Sequence, residues 1–251
     1  MALCMHTPAQ STWRLVWGDE FDGPAGADVD PAKWTRDVGA SGWGNNELEE
    51  YTKSLENAHL DGHGHLVIRA VRTQSGDYTS ARLNTRGRFS FIYGRIEARI
   101  RVPSAEGTWP AFWMMGDSRH RWPDCGEIDI MENVGREPAI VHATIHGPGY
   151  SGADGITAEY TLPNGEPLAN DFHVFALDWE PDLIRWYIDS RLYHVVSRAN
   201  LPAGARWVFD SPFYLLLNLA VGGNLAGAPD GASQFPQQMV VDYVRVWARI
   251  T

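Results

Sequence analysis

Along most of this chain apolar and polar residues alternate with a period of two, the pattern of strands with one face buried. The cleanest run is YGRIEARIRVP at 93–103. Ile96, Ala98 and Ile100 share one face there, and Arg95, Glu97, Arg99 and Arg101 share the other. GHLVIRAVR (64–72) likewise places Leu66, Ile68 and Ala70 together. FHVFALDWEPDLIRWYIDSRLYHVV (172–196) breaks at EPDL and DSR and reads as three strands joined by hairpins. PFYLLLNLAVGG (212–223) and QMVVDYVRVWARI (238–250) supply late strands. Helical periodicity is nearly absent, and Gly, Pro, Asn and Asp punctuate the runs. The pattern predicts an all-β sandwich of two antiparallel sheets packed face to face. It forms a single domain over 13–251, preceded by a tail at 1–12, with no repeat, low-complexity tract or linker.

One segment departs from the pattern. WPDCGEIDIMENVG (122–135) carries Glu127, Asp129 and Glu132 within six positions, among the apolar Ile128, Ile130 and Met131. Glu127 and Asp129 fall on one face of a strand and Ile128 and Ile130 on the other. Glu132, five residues from Glu127, would fall on the wrong side of a regular strand. A β-bulge at Ile130–Met131 returns it to the acidic face. The two glutamates then stand about 13 Å apart at their α-carbons. Leaning side chains bring the carboxyl groups to roughly 5–6 Å, close to the spacing of a retaining glycoside hydrolase.

Composition narrows the function. The chain has 251 residues, 44% of them hydrophobic and 21% charged, enough for one large domain with a substantial core. A formal net charge of −10, without any Lys/Arg run, argues against nucleic acid as a partner. No apolar run of membrane-spanning length occurs. The opening MALCMHTPAQSTW lacks a basic region followed by a long apolar stretch and does not read as a secretory signal. Cys4 and Cys125 are the only cysteines, which predicts two free thiols rather than a disulfide framework, with Cys125 as a packing residue.

Eleven tryptophans are the unusual feature. Trp43, Trp109, Trp113 and Trp122 sit beside glycine, proline or charged residues, and several cluster around the acidic strand. Flat aromatic faces suit the apolar faces of sugar rings. An acid-only strand face exposed to water would repel itself, and a hydrolytic zinc site would want histidine partners that the segment lacks. His142 and His146, four apart in a predicted strand, share a face that reads as cleft-lining. His63 and His65 lie in a solvated turn. A non-catalytic carbohydrate-binding sandwich would keep the tryptophans without needing the three acids together, so the acids favour an enzyme.

GEIDIMEN, with GTWPAFWMM before it, HATIHGPGYSG after it, WGDEFDG near the start and VDYVRVW near the end, resembles glycoside hydrolase family 16. The likeness runs from about residue 13 to 248 and is nearest to the bacterial laminarinase-like branch of endo-β-1,3-glucanases. The resemblance implies a β-jelly-roll with a concave substrate cleft. It also implies Glu127 as nucleophile, Glu132 as acid/base and Asp129 as assisting carboxylate. It implies sugar contacts from Asn45, Arg82, Trp109, Trp113, Trp122, His146 and Asn218. A structural Ca²⁺ is implied at Glu20, Gly64 and Asp242, with no organic cofactor. A monomeric secreted enzyme acting on β-glucan polysaccharide or oligosaccharide, with neither nucleic acid nor membrane as partner, completes the expectation. Mixed-linkage β-1,3-1,4-glucanase and galactan hydrolase remain alternatives of the same family. Two departures stand out: EEYTKS where a Gln-Tyr-Tyr run is common, and Asp124, a fourth acid, where a small residue is usual.

Overall fold

In the computed structural model, which describes residues 12–250, the alternating segments become strands. In chain order these are β1 (Thr12–Asp19), β2 (Thr35–Asp37), β3 (Glu49–Tyr51), β4 (Ala58–Leu60), β5 (Leu66–Arg72) and β6 (Tyr78–Ser80). There follow β7 (Arg82–Asn84), β8 (Gly94–Arg101), β9 (Thr108–Gly116), β10 (Glu127–Glu132), β11 (Ile140–His146) and β12 (Ile156–Thr161). The last are β13 (His173–Glu180), β14 (Leu183–Ile188), β15 (Arg191–Ser197), β16 (Phe213–Val221) and β17 (Gln237–Ile250). Cys4 lies outside the described residues, and Cys125 is buried.

Two sheets result. The larger runs β15-β14-β13-β8-β17-β5-β6-β3, with β1 added on β17 and β4 on β5. The smaller runs β12-β11-β10-β9-β16-β7-β2. All pairs are antiparallel except β3 with β6, which is parallel and departs from the expectation. That pairing is only three residues long, too short for any alternation to announce it. The three strands expected at 172–196 are β13, β14 and β15. Their tight turns place Asp182, Asp189 and Ser190 at positive φ, where short polar side chains are tolerated better than branched ones.

The core lies between the sheets. Ile96, Ala98 and Ile100 of β8 are fully buried, as their alternation requires, and they meet Phe175 and Leu177 of β13 and Val244 and Val246 of β17. From the smaller sheet come Phe112 and Met114 of β9, Ile128 and Ile130 of β10, and Leu215, Leu217 and Leu219 of β16. Every residue of β16 is buried, because its other face joins a second apolar cluster of Ala111, Trp113, Tyr214 and Leu216. That second cluster lies under the outer face of the smaller sheet, which is the face that carries the acids.

Candidate active site

The acidic strand is bulged. Against β9, Asp129 pairs with Trp113 and Met131 with Phe112, so Ile130 is the extra residue. Against β11, Asp129 pairs with Thr144 and Glu132 with His142, again one residue out of step. Ile128, Ile130 and Met131 all turn into the main core, and Glu127, Asp129 and Glu132 all line the opposite, outer face. Burial of two consecutive apolar side chains is what carries Glu132 back to its partners. The carbonyl of Asp129, at the start of the bulge, accepts a hydrogen bond from Trp186 Nε1 on β14 of the other sheet (2.8 Å).

The three acids sit in a cleft of about 840 Å³. Oxygens of Glu127 and Asp129 and a ring nitrogen of His146 lie within 4.8 Å of one another, and His146 Nε2 stands 3.3 Å from Asp129 Oδ2. Burial pushes the Glu127 carboxyl up to about 8, with the charge of Asp129 adding to it. Burial likewise lifts Asp129 to about 7, a rise that its hydrogen bond with Glu127 offsets in part. Glu132 is held well above the ordinary carboxylate value by burial and then by the charges of Asp129 and Glu127. The cluster therefore retains protons that isolated carboxylates would have lost. Two indole N–H groups are aimed at it: Trp122 donates to Glu127 Oε2 (2.5 Å) and Trp109 to Glu132 Oε1 (2.9 Å). Carboxyls that share protons and accept indole donors suit proton transfer better than chelation, although Glu127, Asp129 and His146 have a ligand set a cation could use.

All seven residues expected to contact sugar line the cleft, but they do not present themselves alike. Trp122 is 46% exposed, an open platform at the rim. Trp113 is 7% exposed, and the guanidinium of Arg82 lies 4.8 Å above its ring. Arg82 is itself held between Trp113 and Trp43 and bonds Asp37 through Nε (3.0 Å). Asn218 accepts from Trp113 Nε1 (2.7 Å) and donates to the Tyr51 hydroxyl (3.1 Å). Trp113 and Asn218 thus build the wall, while Asn45, Trp109, Trp122 and His146 reach the space it encloses. Asp124 is not a fourth acid of the cleft: it is exposed and pairs with Arg206 (2.9 Å), a partner 82 positions away that local pattern does not reveal. Sequence reasoning left out Glu47 and did not number Trp43 among the sugar contacts, though both line the cleft. Trp43 sits in a 3₁₀ turn at Gly42–Gly44 with φ 49°, where neither strand nor helix periodicity marks it. Glu47 accepts from Asn45 Nδ2 (3.1 Å) and from the Tyr51 hydroxyl (3.0 Å).

The residues expected to hold calcium come from segments that do converge. A Cβ placed on Gly64 would lie 3.9 Å from the Glu20 backbone carbonyl and 3.8 Å from Asp22 Oδ1. Asp242 follows Val241, which pairs with Leu66 two residues beyond Gly64. The Glu20 carboxylate, however, is engaged by Arg245 at 2.8 and 2.7 Å. The oxygen that Glu20 offers beside Gly64 is its backbone carbonyl. Asp242 is bonded to Arg99 through Oδ2 (2.6 Å). Backbone carbonyls and carboxylates are the hard donors that Ca²⁺ takes, so the donor set fits.

Comparison with known proteins agrees with this geometry. A family model described as Glycosyl hydrolases family 16 matches residues 45–245. The chain is 46% identical over 248 residues to a β-glucanase of Rhodothermus marinus, covering 94% of this chain and 85% of that one. It is similar to the X-ray structure of an endo-β-1,3-glucanase from Pyrococcus furiosus, with a TM-score of 0.89, 47% identity and 96% of each chain covered. The laminarinase catalytic domain of Thermotoga maritima gives a TM-score of 0.89 at 46% identity, over 95% of this chain and 99% of that one. A bulged strand with its three acids in a tryptophan-lined cleft, found in a chain so similar to these proteins over almost its whole length, has one reading: the chain belongs to glycosyl hydrolases family 16.

Proposed function

We propose that the protein is a retaining endo-β-1,3-glucanase. The observation that carries this reading is the bulge, which sets Glu127, Asp129 and Glu132 side by side in a cleft open enough for a polymer. In the proposed mechanism Glu127 attacks the anomeric carbon as Glu132 protonates the departing oxygen. Glu132 then takes a proton from water, which releases the sugar from Glu127 with the β-configuration retained. Asp129 favours the ionised, nucleophilic form of Glu127 by taking the proton the two carboxyls share and donating it back as a hydrogen bond. Trp109 stabilises the ionised form of Glu132 between the two steps. The name of the similar Pyrococcus furiosus protein, an endo-β-1,3-glucanase, supports β-1,3-glucan as substrate. A reducing-sugar assay on laminarin, curdlan, lichenan and agarose tests it: greatest activity is expected on laminarin and curdlan, and preference for lichenan or agarose would replace this substrate with a mixed-linkage glucan or a galactan. Proton NMR of the first product from laminarin should show the β-anomer, and an initial α-anomer would overturn the mechanism.

The same proposal includes a structural Ca²⁺ held by the Glu20 carbonyl, the Gly64 backbone and Asp242. It would tie the segment after β1 to β5 and β17 and stabilise the native state without entering the reaction. Chelation with EDTA is expected to lower the melting temperature by several degrees and to leave turnover at low temperature intact. An unchanged melting temperature removes the ion from the reading. A glucan too large to cross a membrane must be met outside the cell, so secretion belongs to the proposal, tested by activity in culture medium against lysate.

A further inference from the structure

A second pair of carboxyl groups lies in the wall of the cleft, away from Glu127, Asp129 and Glu132. Glu49, on β3, is 1% exposed. Its Oε2 accepts the Val221 N–H at 2.6 Å. Its Oε1 is buried and no donor reaches it. Glu47, two residues earlier, is the neighbouring carboxyl, and both of its oxygens already accept hydrogen bonds, from Asn45 and from Tyr51. Glu47 also lines the cleft beside Trp43 and Asn45. An ionised Glu49 would bury a bare oxygen next to another carboxylate, a costly arrangement. A proton on Oε1 removes both costs, because the unpartnered acceptor becomes a donor, and Glu47, bridged to Gly222 beside the Val221 that bonds Glu49, is the acceptor at hand.

We propose that Glu49 carries a proton on Oε1 and donates it to Glu47, fixing the Glu47 carboxylate in the cleft wall as an acceptor for glucan hydroxyls. Glu47 is then a binding residue and Glu49 a positioning residue acting through it. The identity of the ligand rests on the β-glucanase reading; the proton does not. The electrostatics agree: burial, then the hydrogen bond and the charge of Glu47, push Glu49 up to about 9 against the pull of the Val221 N–H. The titratable groups around it are Glu47, Tyr51 and, beyond Tyr51, Arg82. On β6 the parallel register sets Tyr78 opposite Glu49, and the Leu219–Val221 end of β16 carries none. Glu47 extends the reach of the pair into the wall, since Tyr51 bonded to it also receives Asn218, which holds Trp113. One proton thus underlies a chain of contacts from Glu49 to a tryptophan paired in register with Asp129.

Glu49→Gln has the shape of the protonated acid: its carbonyl can accept from Val221 and its amide can donate to Glu47. Wild-type Glu49 holds a proton when folded that it loses when unfolded, over the interval from 4.5 to about 9. Wild-type stability therefore falls as pH rises through that interval, and the variant lacks this contribution. The melting temperature of Glu49→Gln is expected to exceed that of wild type by a margin that widens up to about pH 9 and then stops widening. A margin that does not vary with pH overturns the proton. In Glu47→Gln, loss of the neighbouring charge should bring the upper end of the interval down, and an unmoved upper end would mean that the two carboxyls do not interact. Kinetics on laminarin test the second half. Wild-type KM should rise several-fold through about pH 9 with a smaller fall in kcat, and in Glu49→Gln that rise should be absent. An equal rise in both proteins overturns the role of Glu47 in binding. Absence of turnover on any glucan would remove that role together with the β-glucanase reading, and the melts would still decide the proton.

Discussion

Glu127, Asp129 and Glu132 bind protons more tightly in the folded chain than three ordinary acids would, and burial is the first cause for each. A carboxyl raised in this way adds stability at low pH, and loses it as pH climbs through the folded value. For Glu127 the interval runs from 4.5 to about 8. Glu127→Gln is therefore expected to lower turnover by at least roughly 10⁴-fold while resisting urea better than wild type near pH 8. Loss of activity accompanied by unfolding would reduce Glu127 to a structural residue. Trp109 offers a finer probe. Its N–H favours the ionised form of Glu132, so Trp109→Phe, which keeps a ring, should move the alkaline limb of kcat/KM to higher pH. A limb that stays in place would show that the hydrogen bond is absent in the working enzyme. The three acids were legible in the sequence because charge is conspicuous in an apolar alternation. Glu47 and Glu49 were not, because a run reading GNNELEEY looks like a solvated loop until the chain around it is folded. Nor could pattern separate Trp113 from Trp122. The difference lies in Arg82 and Asn218, 31 and 105 positions from Trp113, of which the Asn218 contact is a hydrogen bond.

At the level of elements, the strands that alternate cleanly were legible with their faces: β5, β8, the hairpins β13 to β15, and the late strands β16 and β17. The bulge was legible too, from the spacing of Glu132 alone. What escaped was short or paired at long range: the parallel β3–β6 contact, and β2, whose three residues pair only with β7. The pairing of β11 with β12 shows how an element serves the site from outside it. Gly155, just before β12, lies flush against the His146 ring: a Cβ there would come within 2.5 Å of Cε1 and 2.7 Å of Nδ1. Its φ is not in the left-handed region, so the close approach and not backbone strain calls for glycine. Gly155→Ala is expected to displace His146 from Asp129 and to reduce kcat by about tenfold, comparable to losing roughly 1.4 kcal/mol at the transition state, with little change in secondary structure by circular dichroism. A kcat equal to wild type would mean that the histidine takes no part in setting the charge of the cluster.

On the scale of the whole molecule, the two sheets divide the labour: the smaller presents the cleft, and the larger backs it. The contact between them that bears most directly on the chemistry is the hydrogen bond from Trp186 to the Asp129 carbonyl. Trp186 is wholly buried on β14, packed beside His194, and meets no substrate. Trp186→Phe keeps most of the buried volume and removes the donor. The Asp129 carbonyl, left without it, should let the bulge relax, and kcat is expected to fall several-fold while KM for laminarin stays close to wild type. A rise in KM with kcat preserved would place the effect in the cleft wall instead. Catalytic proficiency is thereby exposed to sequence drift in a layer that no sugar ever touches. Among descendants of this chain, changes that repack the neighbourhood of Trp186 should surface as kinetic phenotypes, and a search for faster variants confined to the cleft would pass over them.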